Sequence, residues 1–198
     1  MNVAVIKYNA GNIQSVLYAL GRLGVEAKVT DDPEEIQSAD RVIFPGVGEA
    51  SSAMRYLKDR KLDEVIKGLY QPVLGICLGM QLMCRHSEEN DTGCLGIFNV
   101  NVKKFVSTSA SEKIPQIGWN TIYNLKSDLF EDLRENSYCY FVHSFYAEKS
   151  VFTIAETEYT KAYSSGLRRA NFYGVQFHPE KSAAVGEKII TNFLNIAG

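Results

Sequence analysis

The chain has 198 residues, of which 45% are hydrophobic and 22% charged, with a net charge of −2. That length suits one domain able to bury about 70% of its unfolded surface, and the charge balance offers no basic patch for nucleic acid or an anionic membrane. No stretch approaches the roughly 18 apolar residues of a membrane span, and the N-terminal apolar run is too short for a signal sequence. A single cytoplasmic domain over residues 1–198 is therefore expected.

The first half alternates strand and helix patterns. Asn2–Lys7 reads as a strand. Asn12 caps a helix to about Leu23, with Ile13, Val16, Leu17, Leu20 and Leu23 at helical spacing, and Gly24 ends it. Glu26–Thr30 is a second strand. Asp32-Pro33 opens a short helix, because Pro fits the first turn. Arg41–Phe44 is a third strand, ending in Pro45-Gly46-Val47-Gly48, and helices follow at about Glu49–Leu57 and Leu62–Leu69. Pro72-Val73-Leu74 is a buried strand that runs into Gly75-Ile76-Cys77-Leu78-Gly79-Met80-Gln81, with a helix over Gln81–Cys84. Such alternation predicts a mostly parallel sheet with helices on both faces and a site at the carboxyl ends of the strands. There the loops at Tyr8–Asn12, Pro45–Gly48 and Cys77 should converge.

The second half reads differently. Ile97–Phe105, Ile117–Leu125, Ser137–Phe141, Val151–Ala155 and Phe172–Gln176 read as strands, and only Leu129–Arg134 and Val185–Ile196 look helical. This predicts an antiparallel extension of the sheet, closed by a C-terminal helix.

Cys77 sits on a strand-to-helix turn between glycines two residues before and two after, the form of a nucleophile elbow. The turn exposes the sulfur at a helix start, where a thiolate is favoured; the alternative is a buried core cysteine. His178 ends the apolar alternation that begins at Val175, Pro179 stops the strand, and Glu180 can fold back to hydrogen-bond the imidazole. With Cys77 these residues form a Cys-His-Glu set, a nucleophile with a base and its orienter. Pro45-Gly46-Val47-Gly48 is either a plain tight turn or an oxyanion loop acting with the amide of Leu78. A phosphate loop is disfavoured, since Gly-Lys-Ser/Thr is absent. His143 reads as a strand end near the pocket and His86 as exposed. Cys84 and Cys139 read as apolar filler, and a metal site of Cys84, His86 and Cys94 is the weaker alternative.

Together the elbow Gly75–Gln81, the loop Pro45–Gly48 and His178-Pro179-Glu180 resemble class I glutamine amidotransferases. Tyr8-Asn9-Ala10-Gly11-Asn12, Ile117-Gly118-Trp119-Asn120, Phe141-Val142-His143-Ser144 and His178-Pro179-Glu180-Lys181-Ser182 narrow the resemblance to the glutaminase subunits of imidazole glycerol phosphate synthases. It spans essentially the whole chain. It implies a three-layer, flavodoxin-like α/β fold and hydrolysis of glutamine to glutamate and ammonia, with Cys77, His178 and Glu180 as the triad and no cofactor or metal. It also implies oxyanion amides from Gly46, Val47 and Leu78, and glutamine held by Gly48, Gln81 and the backbone of Ser144 and Phe145. Ser144-Phe145 stands where the family pattern has Thr/Ser-Tyr, which leaves the backbone contacts but not a side-chain hydroxyl role there. The implied partner is a (β/α)8-barrel cyclase subunit of the HisF type, forming a heterodimer in histidine biosynthesis, faced by Asn12, Trp119, Asn120 and Lys181. Low activity without the partner implies that the Gly46–Val47 peptide must reorient. The rival readings are a related glutaminase serving a different synthase, such as one in sugar modification, and a Cys-His hydrolase or peptidase.

Overall fold

The computed structural model describes residues 1–8, 13–107 and 112–197. In chain order its first half holds β1 (Val3–Ile6), α1 (Ile13–Arg22), β2 (Ala27–Thr30), α2 (Pro33–Ser38), β3 (Arg41–Phe44), α3 (Ala50–Asp59), α4 (Leu62–Lys67), β4 (Val73–Ile76) and α5 (Leu78–Met83). The second half holds β5 (His86–Ser87), β6 (Thr92–Gly93), β7 (Asn101–Lys104), β8 (Gln116–Ile122), β9 (Ser137–His143), β10 (Phe145–Ala147), β11 (Thr153–Glu158), β12 (Ala162–Arg169), β13 (Phe172–Val175) and α6 (Ala183–Asn195).

Local chemistry explains the helix starts. The Asp32 side chain accepts from the amides of Glu34 and Glu35 with Pro33 in the first turn, and Glu49 does the same for Ser51 and Ser52. Helix α1 buries Val16, Ala19 and Leu20 on the face its apolar spacing predicts.

The main sheet runs β2-β1-β3-β4-β13-β12-β10-β7-β5-β6, with β11 paired to β12. Strands β2, β1, β3, β4 and β13 are parallel neighbours. From β13 through β12 and β10 to β7 the sheet is antiparallel, and β5 then pairs with β7 in parallel. Strands β1, β4 and β13 are buried at every residue, as expected where both faces are covered. One apolar cluster, with Phe44, Leu57, Met80 and Phe98, lies on one face, and a second, with Leu20, Phe141, Tyr163 and Phe193, on the other. The three-layer arrangement with an antiparallel extension is thus present.

Three sequence expectations need correction. Strands β8 and β9 do not extend the main sheet; they form a two-stranded ribbon of their own. Their outward residues are apolar too, so the alternation did not reveal that one face is left uncovered. Residues Leu129–Arg134 form only a 3-10 turn over Asp128–Phe130. The expected strand list omits β12, the longest strand, whose run Ala162–Arg169 carries two serines and a glycine yet is buried over Tyr163–Leu167. The loop Tyr8–Asn12 and the Asn12 cap lie outside the described residues beyond Tyr8. Among the described residues, no helix is long and apolar enough to cross a membrane.

Candidate active site

The loop after β3, the elbow after β4 and the turn after β13 meet at one edge of the parallel sheet. Cys77 occupies the elbow with φ 52° and ψ −108°, a left-handed backbone that a β-carbon resists. The flanking glycines make this turn possible. A β-carbon at Gly79 would strike the carbonyl oxygen of Phe44, and one at Gly75 would strike the side chain of Met83 and the backbone of Met80. Helix α5 therefore lies directly against β3 and β4.

Register brings the remaining groups to the sulfur. Strand β13 pairs with β4 so that Val175 stands opposite Ile76, and Cys77 N–H donates to Val175 O at 2.8 Å. Gln176 and His178 follow directly. His178 Nδ1 and Glu180 Oε1 lie 2.8 Å apart, with both side chains 1% exposed. Burial pulls the imidazole pKa down, but the nearby Cys77 sulfur and then the Glu180 carboxylate outweigh it and raise it to about 10. His178 Nε2 has no hydrogen-bond partner among the described residues. The arrangement is an imidazole whose Nδ1 is held by a buried carboxylate and whose charged form is favoured beside the Cys77 sulfur.

A cavity of about 270 Å³ opens over this group, lined by Val47, Gly48, Cys77, Leu78, Gln81, Glu89, Val142, His143, Ser144 and Phe145. Every residue expected to hold glutamine is there: Gly48, Gln81, Ser144 and Phe145. Gln81 Nε2 donates to Phe145 O and to Gln176 Oε1, each at 2.9 Å, so both amide hydrogens are used and Oε1 is the acceptor left for a ligand. His143 lines the cavity rather than joining the triad. Its Nδ1 lies 2.7 Å from Phe145 O and its Nε2 3.2 Å from Tyr163 Oη. Burial is the main reason its pKa falls to about 4.

The groups expected to form an oxyanion hole are close together, but bonded to one another. The Leu78 amide donates to Gly46 O at 3.2 Å. Tyr8, buried and tilted on Phe44, donates to Pro45 O at 2.5 Å and packs under Gly46.

Two residues at the site escaped sequence reasoning, Glu89 in the cavity and Gln176 behind the sulfur. Glu89 is the cavity's carboxylate; burial raises its pKa, while the Ala50 amide, 2.8 Å from Oε2, opposes that. Gln176 Nε2 lies 3.5 Å from the Cys77 sulfur. Glu89 lies on the turn between β5 and β6, where no periodicity marks it. Gln176 was visible as a polar residue inside the apolar run Val175–Phe177.

The other cysteines are spectators: Cys84 and Cys139 are buried, and burial pushes the Cys94 thiol up to about 12. His86 is half-buried and pairs with Asp91 at 2.8 Å. Among the described residues, no cluster of three metal-ligating side chains occurs.

The interface expectations fall on the ribbon and beside the triad. Trp119 is 53% exposed and stands edge-on to Tyr140. Ile117 and Tyr138 are also exposed, and cross-strand pairing aligns Ile117 with Val142 and Trp119 with Tyr140 on the outer face. Asn120 is held within the chain through Glu158 O and the Thr121 amide. Lys181 is exposed next to Glu180. Asn12 lies outside the described residues.

The sequence matches the glutamine amidotransferase class-I family over residues 4–197. It is 59% identical over 196 residues to the imidazole glycerol phosphate synthase subunit HisH of Bacteroides thetaiotaomicron, covering 99% of this chain and 100% of that protein. It is 42% identical over 198 residues to the protein of the same name from Escherichia coli K12, covering 99% and 100%. Among solved structures, a glutamine amidotransferase superposes with a TM-score of 0.73 at 17% identity, covering 96% of each chain. PurLQS from Thermotoga maritima gives 0.70 at 19%, covering 98% of this chain and 97% of that one. At such identities these two likenesses carry the fold alone.

Proposed function

The chain belongs to the class-I glutamine amidotransferase family, and on that premise we propose that it is the glutaminase subunit of an imidazole glycerol phosphate synthase, working with a cyclase subunit in histidine biosynthesis. The observation that carries the chemistry is the meeting of Cys77, which lines a cavity sized for one amino acid, with the buried His178–Glu180 pair beside it. Full-length identity to proteins named as that subunit supports the choice of synthase.

In this reading glutamine enters with its side-chain amide over Cys77. Its α-ammonium meets the carboxylate of Glu89 and Oε1 of Gln81, while its backbone contacts are with Gly48, Ser144 and Phe145. The Cys77 thiolate attacks the amide carbon. The C–N bond then breaks as the His178 imidazolium gives its Nε2 proton to the departing ammonia, and a γ-glutamyl thioester remains. Water attacks the thioester with His178 as base, restoring the thiolate and releasing glutamate. Glu180 keeps the Nδ1 hydrogen engaged throughout, so that Nε2 does the proton transfer.

The tetrahedral oxyanion needs two amides. Leu78 supplies one once it leaves Gly46 O. Turning the Gly46–Val47 peptide over removes that carbonyl and brings the Val47 N–H in its place. This makes the isolated chain a resting enzyme and assigns activation to the partner. The exposed apolar face of the ribbon, centred on Trp119, is the surface a (β/α)8-barrel cyclase would cover, together with the exposed Lys181. Asn120 acts there through its backbone strand rather than its engaged side chain.

The test is glutamate release from glutamine by the chain alone and with a cyclase barrel carrying its nucleotide ligand. Stimulation that disappears in Cys77→Ala supports the reading. Full stimulated hydrolysis in Cys77→Ala removes the mechanism, and absence of stimulation by any cyclase barrel removes the partner.

A further inference from the structure

We infer that Gln176 is a positioning residue of this site, holding the Cys77 sulfur and the Gln81 amide in one hydrogen-bonded line, an inference that rests on the glutaminase reading above.

The register makes the juxtaposition. Val175 pairs with Ile76 across β13 and β4, so the next residues on each strand, Gln176 and Cys77, stand side by side. Gln176 is fully buried, where a carboxamide is costly unless both its ends are bonded. Both are: Nε2 lies 3.5 Å from Cys77 Sγ, and Oε1 accepts from Gln81 Nε2 at 2.9 Å. Gln81 in turn donates to Phe145 O at 2.9 Å. An amide has donors at one end and an acceptor at the other. Once Oε1 is committed to Gln81, the donor end faces the sulfur.

Two consequences follow. A neutral donor at the sulfur favours the thiolate without adding a charge that would compete with His178 for it. The same side chain sets which end of the Gln81 amide faces the cavity. Gln81 gives up both hydrogens, so it offers the substrate an acceptor. Nucleophile and substrate reader are thereby oriented by one group.

The experiment compares the cyclase-bound wild type with Gln176→Leu and Gln176→Glu. It reads kcat and KM for glutamine, and separately the rate of Cys77 alkylation by iodoacetamide. Gln176→Leu loses both bonds: alkylation slows about ten-fold, as for a lost hydrogen bond to a charged group, and KM rises by a similar factor. Gln176→Glu keeps the acceptor for Gln81, so KM stays within about three-fold while kcat and alkylation fall. Its activity relative to wild type climbs as pH is lowered, because the protonated carboxyl again donates to sulfur. A purely structural role gives neither the KM-against-kcat split nor that pH-dependent ratio. If Gln176→Leu does not fold, the pH profile of Gln176→Glu decides alone. Folded variants with wild-type alkylation and KM, or a pH-independent ratio for Gln176→Glu, overturn the assignment. If the wild type releases no glutamate, the glutaminase reading fails, while the alkylation rates still judge the bond from Gln176 to sulfur.

Discussion

The Leu78 amide donates to the Gly46 carbonyl across the mouth of the active site, at 3.2 Å. On the proposed mechanism, that bond occupies the amide expected to meet the oxyanion, and turning the Gly46–Val47 peptide would replace the carbonyl with an N–H. Val47→Pro removes the N–H that turning the peptide would supply. Partner-stimulated glutamate release should fall by roughly 10² to 10³ in kcat, while Cys77 alkylation persists. An unchanged kcat would mean that the Val47 amide is not an oxyanion donor.

His178→Asn should lower stimulated kcat by roughly 10² to 10⁴, with glutamine KM little changed, because the imidazole transfers protons and does not line the glutamine cavity. Glu180→Gln should give a smaller loss, since it removes the charge that holds the imidazolium but leaves a polar group at hydrogen-bond distance. Steady-state kinetics of the complex check the order of the two.

The two buried histidines give opposite pH signatures. The folded-state pKa of His178 is raised to about 10, so its contribution to stability is complete below its unfolded value of about 6.5 and is lost as pH rises toward 10. The folded-state pKa of His143 is lowered to about 4. The unfolded chain then takes up a proton that the folded chain refuses, and stability falls as pH drops from about 6.5 to 4, by about 3 kcal/mol at the acid end. Denaturant melts from pH 4 to 10 should show His143→Gln flattening the acid limb and His178→Gln the alkaline limb. Unaltered limbs would contradict the assignment.

Trp119→Ala should weaken binding to the cyclase subunit about 30-fold or more, as for an exposed aromatic anchor at an interface centre. Thermal stability of the isolated chain should barely move, because the indole is already half in solvent. Titration calorimetry and a melting curve separate the two effects.

Gly79→Ala sets a β-carbon against the Phe44 carbonyl oxygen. Backbone cannot yield as a flexible side chain does, so a loss of about 1–3 kcal/mol or more is expected, read as a melting point lower by several degrees. A melting point at the wild-type value would show that the elbow is less tightly set against β3 than the backbone geometry implies.

Much of this molecule is written locally. The βα alternation, the caps at Asp32 and Glu49 and the elbow glycines depend on near neighbours in sequence, so strand and helix positions in the first half are readable one by one. The pairing of His178 with Glu180 is also local, two residues apart, and it is present as expected. The second half was harder. β12 lacks a continuous apolar run, because its small residues are buried by neighbours far away in the chain. The β8–β9 ribbon has the alternation of a sheet strand, and nothing local says which sheet it joins.

By itself the sequence determined the family and pointed to the candidate triad and the loops proposed to carry the chemistry, because those depend on residue identity and short spacing. Tertiary structure decided the rest. Only the register of β13 on β4 places Gln176 against the sulfur, 99 positions away in sequence, and only the turn between β5 and β6 swings Glu89 into the cavity. Which way the proposed oxyanion loop is turned was likewise decided in three dimensions. The same Pro-Gly-Val-Gly loop can present a carbonyl or an amide, and the choice rests on the hydrogen bonds that Leu78 and Tyr8 make across the fold.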